Sequence, residues 1–210
     1  MIMKKLTRAQ QKALRPIQIL DAAFEEFIEK GFSAARVEDI ASRIGVTKGT
    51  IYVYFPTKEE IFSAMVRHIA VPFEAVHTNE LNGSCSEQLR SLLLLCYEHI
   101  LGDRRTRELL RFAISEGIRF PELIDTHYQE LVEPILERTQ AIIDEGVRIG
   151  EFRSGTAPFA RVIIAPFVAM MVDVLILGDN RDLGVPLYIQ SHLDFVMHGL
   201  AVSETSGSVE

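Results

Sequence analysis

The sequence predicts an all-α fold, and three observations carry that prediction. Apolar residues recur at i, i+3, i+4 and i+7 in one segment after another, the spacing of a buried helix face. The segments open and close on residues that cap or stop helices, among them Pro16, Gly31, Gly45, Thr47 and Gly150. The one stretch that alternates as a strand would, Thr50 to Phe55, stands between helix signals with no second strand to pair with. At 210 residues and 48% hydrophobic content, the chain can bury a substantial core and has room for one large or two modest domains.

Residues 1–15 carry Lys4, Lys5, Arg8, Lys12 and Arg15 without an acid and read as a basic arm. Pro16 suits the first position of a helix whose stripe is Leu20, Ala23, Phe24, Phe27 and Ile28, and which Gly31 ends. Glu25, Glu26 and Glu29 fall on its water side. A second helix, Val37 to Ile44, buries Val37, Ile40, Ala41 and Ile44, and Gly45 stops it. Only Gly45-Val46-Thr47 separates it from a third helix, for which Thr47 is the N-cap. That third helix is built of strand-favouring residues. Because Ile51 and Phe55 also stand at i and i+4, it is predicted helical, with those two inward and Lys48, Gly49, Thr50, Tyr52 and Tyr54 outward.

Pro56 breaks that helix, and Thr57-Lys58-Glu59-Glu60 is a capping box that opens a link helix through Ile61, Met65 and Ile69, expected to kink or end between His68 and Pro72. Asn79 to Ser86 has loop composition. Helices are predicted at about Glu87 to Leu101 and Arg105 to Gly117, then from Pro121 to Ile149 with a kink at Pro134 and a stop at Gly150. Thr156-Ala157-Pro158 starts an unusually apolar helix through Leu177, and Leu183 to Leu200 forms the last. Residues 203–210 are polar and expected to fray.

Two helices on a three-residue turn carrying glycine make a helix-turn-helix, whose second helix enters a DNA groove. The net charge of −7 argues against a nucleic-acid partner only if it is evenly spread. It is not: residues 1–70 hold 11 Lys and Arg against 8 Asp and Glu, a net of +3, while the rest hold 11 against 21, a net of −10. A basic end on an acidic body offers one surface to phosphate. The basic arm would add sequence-independent phosphate affinity if it lies along DNA.

Gly31-Phe32, Val37, Ile40-Ala41, Gly45-Val46, Gly49-Thr50-Ile51-Tyr52, Phe55 and Lys58 resemble the N-terminal DNA-binding signature of the TetR/AcrR family of transcriptional regulators. The resemblance covers about Pro16 to Phe62, and Leu109 to Leu123 is weakly similar to the ligand domains of the AcrR-like branch. It implies an all-α architecture of about nine helices: a helix-turn-helix domain of three helices at 1–62, a larger ligand-binding and dimerisation domain at 63–202, and a tail at 203–210. It further implies a two-fold-related double-stranded operator, with Arg36, Thr47, Lys48, Gly49, Thr50, Tyr52, Tyr54 and Lys58 as the DNA-binding residues. Where the family usually has Thr or Ser capping the first motif helix this chain has Ala35 and Arg36, so Arg36 offers phosphate a charge in place of a hydroxyl. Ile44 likewise stands where the family usually has Ala. The last two helices are implied to form a homodimer's four-helix bundle.

The chemistry of catalysis is not legible in the chain. It has no glycine-rich phosphate loop, G-x-S-x-G, C-x-x-C or H-E-x-x-H motif, and the expectation is no enzyme, no metal and no cofactor. His192 and His198, six apart, fall on different helix faces. A small-molecule effector is expected, apolar or amphipathic, with His99, Phe112, Glu116, Phe167, Met170 and Met171 as candidate pocket residues. Glu116 and Asp173 could orient a cationic or hydroxylated ligand. The function expected is that of a dimeric repressor released from its operator by such a ligand. The alternatives are a DNA-binding regulator governed by a protein partner and without a ligand cavity, and a helical small-molecule enzyme.

Cys85 and Cys96, about 16 Å apart if they share a helix, cannot bridge within one chain. Two such thiols suggest a cytoplasmic protein. No membrane association is expected, since the longest uncharged apolar run, Val162 to Val172, falls short of the roughly 18 residues a span needs.

Overall fold

The structure, a computed structural model, describes residues 7–78, 82–154, 160–178 and 184–202. The described residues are helical throughout, apart from connecting turns and one isolated bridge between Phe152 and Ala201. The helices are α1 (Arg8–Ala34), α2 (Val37–Arg43), α3 (Lys48–Tyr54), α4 (Lys58–Thr78), α5 (Cys85–Gly102), α6 (Arg104–Glu116), α7 (Pro121–His127), α8 (Glu133–Arg148), α9 (Ala160–Leu177) and α10 (Val185–Leu200). A π-helical turn, Tyr128–Val132, joins α7 to α8 without a break. The sequence expects one helix here with a kink at Pro134. Because proline has no N–H to give the carbonyl four residues back, the ladder widens just before it.

Helices α1 and α4 depart furthest from the sequence reading, and α2, α5, α6 and α10 by one or two residues at an end. Helix α1 starts eight residues before Pro16, because Thr7 and Gln10 make a reciprocal capping box, with the Gln10 N–H donating to Thr7 Oγ1 at 3.3 Å and the Thr7 N–H to Gln10 Oε1 at 3.0 Å. The residues from Arg8 to Arg15 are thus helix and not arm, while Met1 to Leu6 lie outside the described residues. Helix α4 does not end between His68 and Pro72, one of the two outcomes expected there, but runs on to Thr78. The expected start at Thr156 to Pro158 and the tail from Ser203 also lie outside the described residues.

The chain packs as two compact units. The first comprises Met1–Val71 and Glu108–Glu130. Its core joins Ile19, Ala23, Phe24 and Phe27 of α1, Ile40 of α2, Ile51 of α3, and Ile61, Phe62 and Met65 of α4, all at most 1% exposed. Five rings thread it: Phe62 lies 5.7 Å from Phe27, 5.8 Å from Phe32 and 4.9 Å from Phe112 between ring centroids, and Phe32 lies 5.0 Å from Phe120. At Gly31 the backbone takes φ +74, which ends the regular helix at Lys30 and turns Phe32 back into this cluster.

Glu26 is a correction to the sequence reading. Expected in water, it is fully buried, and its carboxylate pairs with Lys30 at 2.5 Å and with Arg43 of α2 at 2.8 Å. Lys30 reaches on to Asp39 at 2.9 Å, and Arg43 also binds Glu29. This network fastens α2 to α1.

The second unit comprises Pro72–Arg107 and Leu131–Glu210. Helix α5 packs against α8, α9 and α10 through Leu89, Leu92, Leu93 and Cys96, all fully buried. Glu151 accepts from the N–H groups of Cys85 and Ser86 at 2.8 and 2.7 Å, closing the start of α5 beside its own Ser84 cap. On α10, Tyr188 and His192 stand at i and i+4. Tyr188 donates to the Pro166 carbonyl at 2.7 Å. His192 Nε2 lies 2.9 Å from the Ile163 carbonyl, which can only accept, so Nδ1 is left to accept from the Tyr97 hydroxyl at 2.8 Å.

Candidate nucleic-acid interface

The turn between α2 and α3 is closed by backbone alone. Gly45, at φ +66, donates to the Ser42 carbonyl at 3.2 Å, and Val46 donates to Ala41 at 3.0 Å, the paired bonds of a Schellman motif that glycine makes accessible. Thr47 then caps α3, its hydroxyl accepting from the Thr50 N–H at 3.3 Å. Ile51 is fully buried, and the Phe55 N–H reaches the Ile51 carbonyl at 3.0 Å. That buried anchor and the N-cap make a helix of a sequence whose local preference is strand.

With Ile51 inward, Lys48, Gly49, Tyr52 and Val53 are exposed and Thr50 and Tyr54 half-buried. Lys48 binds Glu38 of α2 at 2.7 Å and lies 5.4 Å over the Tyr52 ring. The hydrogen bond to Glu38 raises the Lys48 pKa, and the same bond lowers that of Glu38. Arg36 is exposed at the N-cap of α2 and makes no side-chain capping bond, so the missing hydroxyl cap noted in the sequence has no local substitute. Lys58 folds back: its ammonium donates to the Ser33 carbonyl at 3.3 Å and sits 4.5 Å over the Phe32 ring, where burial pushes its pKa down.

Val53 is missing from the outward set read from the sequence, yet it is 80% exposed, the most open apolar side chain on α3. Helical geometry could have found it, since two residues on from buried Ile51 is a rotation of about 200°. An exposed methyl pair on such a helix can meet a thymine methyl in a major groove. The pairing of Glu38 with Lys48 left no local signal, because the residues are ten apart and meet only across the turn.

The expected pocket residues divide between the units. Phe112 is buried against Phe62, and Glu116 is half-buried beside Gly31, both in the first unit. His99 is half-buried on α5, while Phe167, Met170 and Met171 are buried on α9, all in the second. Phe167 stands edge-on to Tyr97 at 5.4 Å. Burial lifts the Cys96 thiol to about 12, which leaves it unreactive. No three His, Cys, Asp or Glu side chains gather as metal ligands among the described residues.

Comparison with known proteins bears on this surface directly. The family model described as "Bacterial regulatory proteins, tetR family" matches residues 19–65, from the packed part of α1 into α4. The HTH-type transcriptional regulator TtgW of Pseudomonas putida, itself uncharacterised, is 31% identical over 135 residues, 64% of this chain and 98% of TtgW. The fatty acid metabolism regulator protein of Bacillus subtilis (strain 168) is 24% identical over 176 residues, 82% of this chain and 89% of its own. Among solved structures, the transcriptional regulator FadR from Bacillus subtilis in complex with stearoyl-CoA superposes with a TM-score of 0.65 at 23% identity, covering 88% of this chain and 98% of that one.

Proposed function

The chain belongs to the TetR family of helix-turn-helix transcriptional regulators, and we propose that it acts as a homodimeric repressor, released from a two-fold-related operator by a small apolar or amphipathic molecule. Residues 1–62 would bind the operator, with Arg36, Thr47, Lys48, Gly49, Thr50, Tyr52, Tyr54 and Lys58 as the contacts, and residues 63–202 would bind the ligand and form the dimer. Such a protein works in the cytoplasm, where the DNA is. The observation that carries the reading is α3 itself, anchored by Ile51 and presenting Lys48, Tyr52 and Val53 to solvent. In this reading Lys48 exchanges Glu38 for a phosphate or a base edge on binding.

The dimer is supported by an apolar stripe in the second unit. Val162, Val168 and Ile176 of α9 are 66%, 40% and 72% exposed, and Leu187 and Phe195 of α10 are 69% and 76% exposed. Helix α9 is long and apolar enough, at a mean hydropathy of 2.2, to cross a membrane by length and composition. Its packing on α5 and α8 through buried Ile163, Phe167 and Met170 favours an interface helix over a span. The stearoyl-CoA in the FadR complex supports an amphipathic effector.

Selection of DNA from a random pool tests the core of the reading. The parent protein should enrich a site with two half-sites about 34 Å apart or a multiple of that. Lys48→Ala and Tyr52→Ala should each abolish the enrichment while the melting curve is kept. Enrichment by both variants equal to the parent's would remove α3 as the reading helix.

A further inference from the structure

We propose that the first unit holds a binding site for a small organic monocation, an alkylammonium with a short apolar body, in the cavity between the end of α1 and α6. Binding there stands independently of the effector reading above, and only its effect on DNA rests on that reading. The cavity has a volume of about 230 Å³, and Phe27, Lys30, Gly31, Glu108, Phe112 and Glu116 are among the residues lining it. At ~30 Å³ for each water-sized group, that is room for roughly seven non-hydrogen atoms.

Charge decides the class of occupant. Lys30 is engaged by Glu26 and Asp39 at 2.5 and 2.9 Å, and Glu108 has Arg111 at 3.6 Å. Glu116 remains: its Oε2, like that of Glu108, is shut off from solvent and has no hydrogen-bond partner, but unlike Glu108 it has no basic side chain paired with it among the described residues, Arg111 of the lining being taken by Glu108. Such an atom normally finds a donor, and one left without is costly. Its other oxygen lies against Gly31, where a Cβ would come within 3.2 Å of it. Since the regular helix of α1 ends at Lys30, the carboxylate also faces the negative end of that helix dipole, which disfavours an anion and favours a cation.

One uncompensated carboxylate calls for one positive charge. A metal ion would need several ligands, and the described residues gather no such set. Phe27 and Phe112, both buried, are among the lining residues and give the short apolar body of the occupant aromatic carbon to rest on. An occupant pressing on Phe112 bears on Phe62, 4.9 Å away, which sits on the first turn and a half of α4, just after the recognition helix. The cavity is therefore placed to bias the aromatic cluster that seats that helix.

Calorimetric titration of the full chain with n-butylammonium chloride and with 1-butanol, at constant ionic strength, tests the assignment. The ammonium should bind saturably, and the isosteric alcohol about tenfold or more weakly, since it lacks the charge-assisted bond. E116Q, with its melting temperature checked, should lose the same factor. Equal affinity for the two probes, no saturable binding of the ammonium, or an unchanged affinity in E116Q overturns the site. The comparison of probes on the parent protein stands even if E116Q fails to fold. Running the random-pool DNA selection on the same sample separates the two readings: selected DNA without ammonium binding overturns only this site, and ammonium binding without selected DNA overturns only the regulator.

Discussion

His127, at the end of α7, is half-buried, its Nδ1 is closed to solvent with no partner, and this desolvation pushes its pKa down to about 4 from an ordinary 6.5. The unfolded chain therefore binds a proton that the folded one refuses between about pH 6.5 and pH 4, so stability rises with pH across that window and is lost on acidification. The full loss, on the order of 3 kcal/mol, follows from the two pKa values at 1.36 kcal/mol per pH unit. As pH falls from 7 to 4.5 the melting temperature of the parent should drop further than that of His127→Gln, and parallel curves would remove His127 as the cause. No sequence pattern marks this residue, because a lone histidine is more often exposed. Tyr52 and Lys48, in contrast, are legible from the helical wheel alone.

At the scale of elements, the seating of α2 on α1 depends on an ion network the sequence reading placed in water. Glu26 lies one position beyond Glu25 on a helix, and its burial is decided by where α2 crosses. Arg43→Ala should leave that buried carboxylate with Lys30 alone. The expected cost is roughly 2 to 3 kcal/mol, below the 3 to 5 of a fully unpaired buried charge, and a fall in Tm of about 5 to 10 °C. Calorimetry reads it directly, and a Tm within about 1 to 2 °C of the parent's would show the network to be idle, as solvent-screened ion pairs often are. Helix α3 teaches the converse lesson. Its β-branched and aromatic run favours a strand, and the N-cap at Thr47 together with the core contact of Ile51 overrides that preference.

For the whole molecule, the stripe on α9 and α10 makes the oligomer testable without any ligand. Phe195→Asp places a charge at a site 76% open in the single chain, so it should leave the helical fold intact by circular dichroism while shifting sedimentation from dimer to monomer at micromolar concentration, with Tm lowered only by the lost association. A parent that already sediments as a monomer would sink the dimer. If the repressor reading holds, linkage adds a reciprocal expectation. Operator DNA should weaken a genuine effector by the factor through which that effector weakens DNA, typically about 5- to 150-fold, and equal effector affinities with and without operator would rule out ligand-gated release. By itself the sequence determined the all-helical class, the order of the elements, the glycine turn and most of the outward face of α3, because these rest on periodicity, caps and backbone conformations that act within a few residues. Only the tertiary structure decided that Glu26 is buried, that Lys48 is held by Glu38, that Lys58 folds onto Phe32, and that Phe112 and Glu116 pack with the helix-turn-helix. Each of these joins residues distant in the chain, where burial and charge pairing depend on which helix arrives as neighbour.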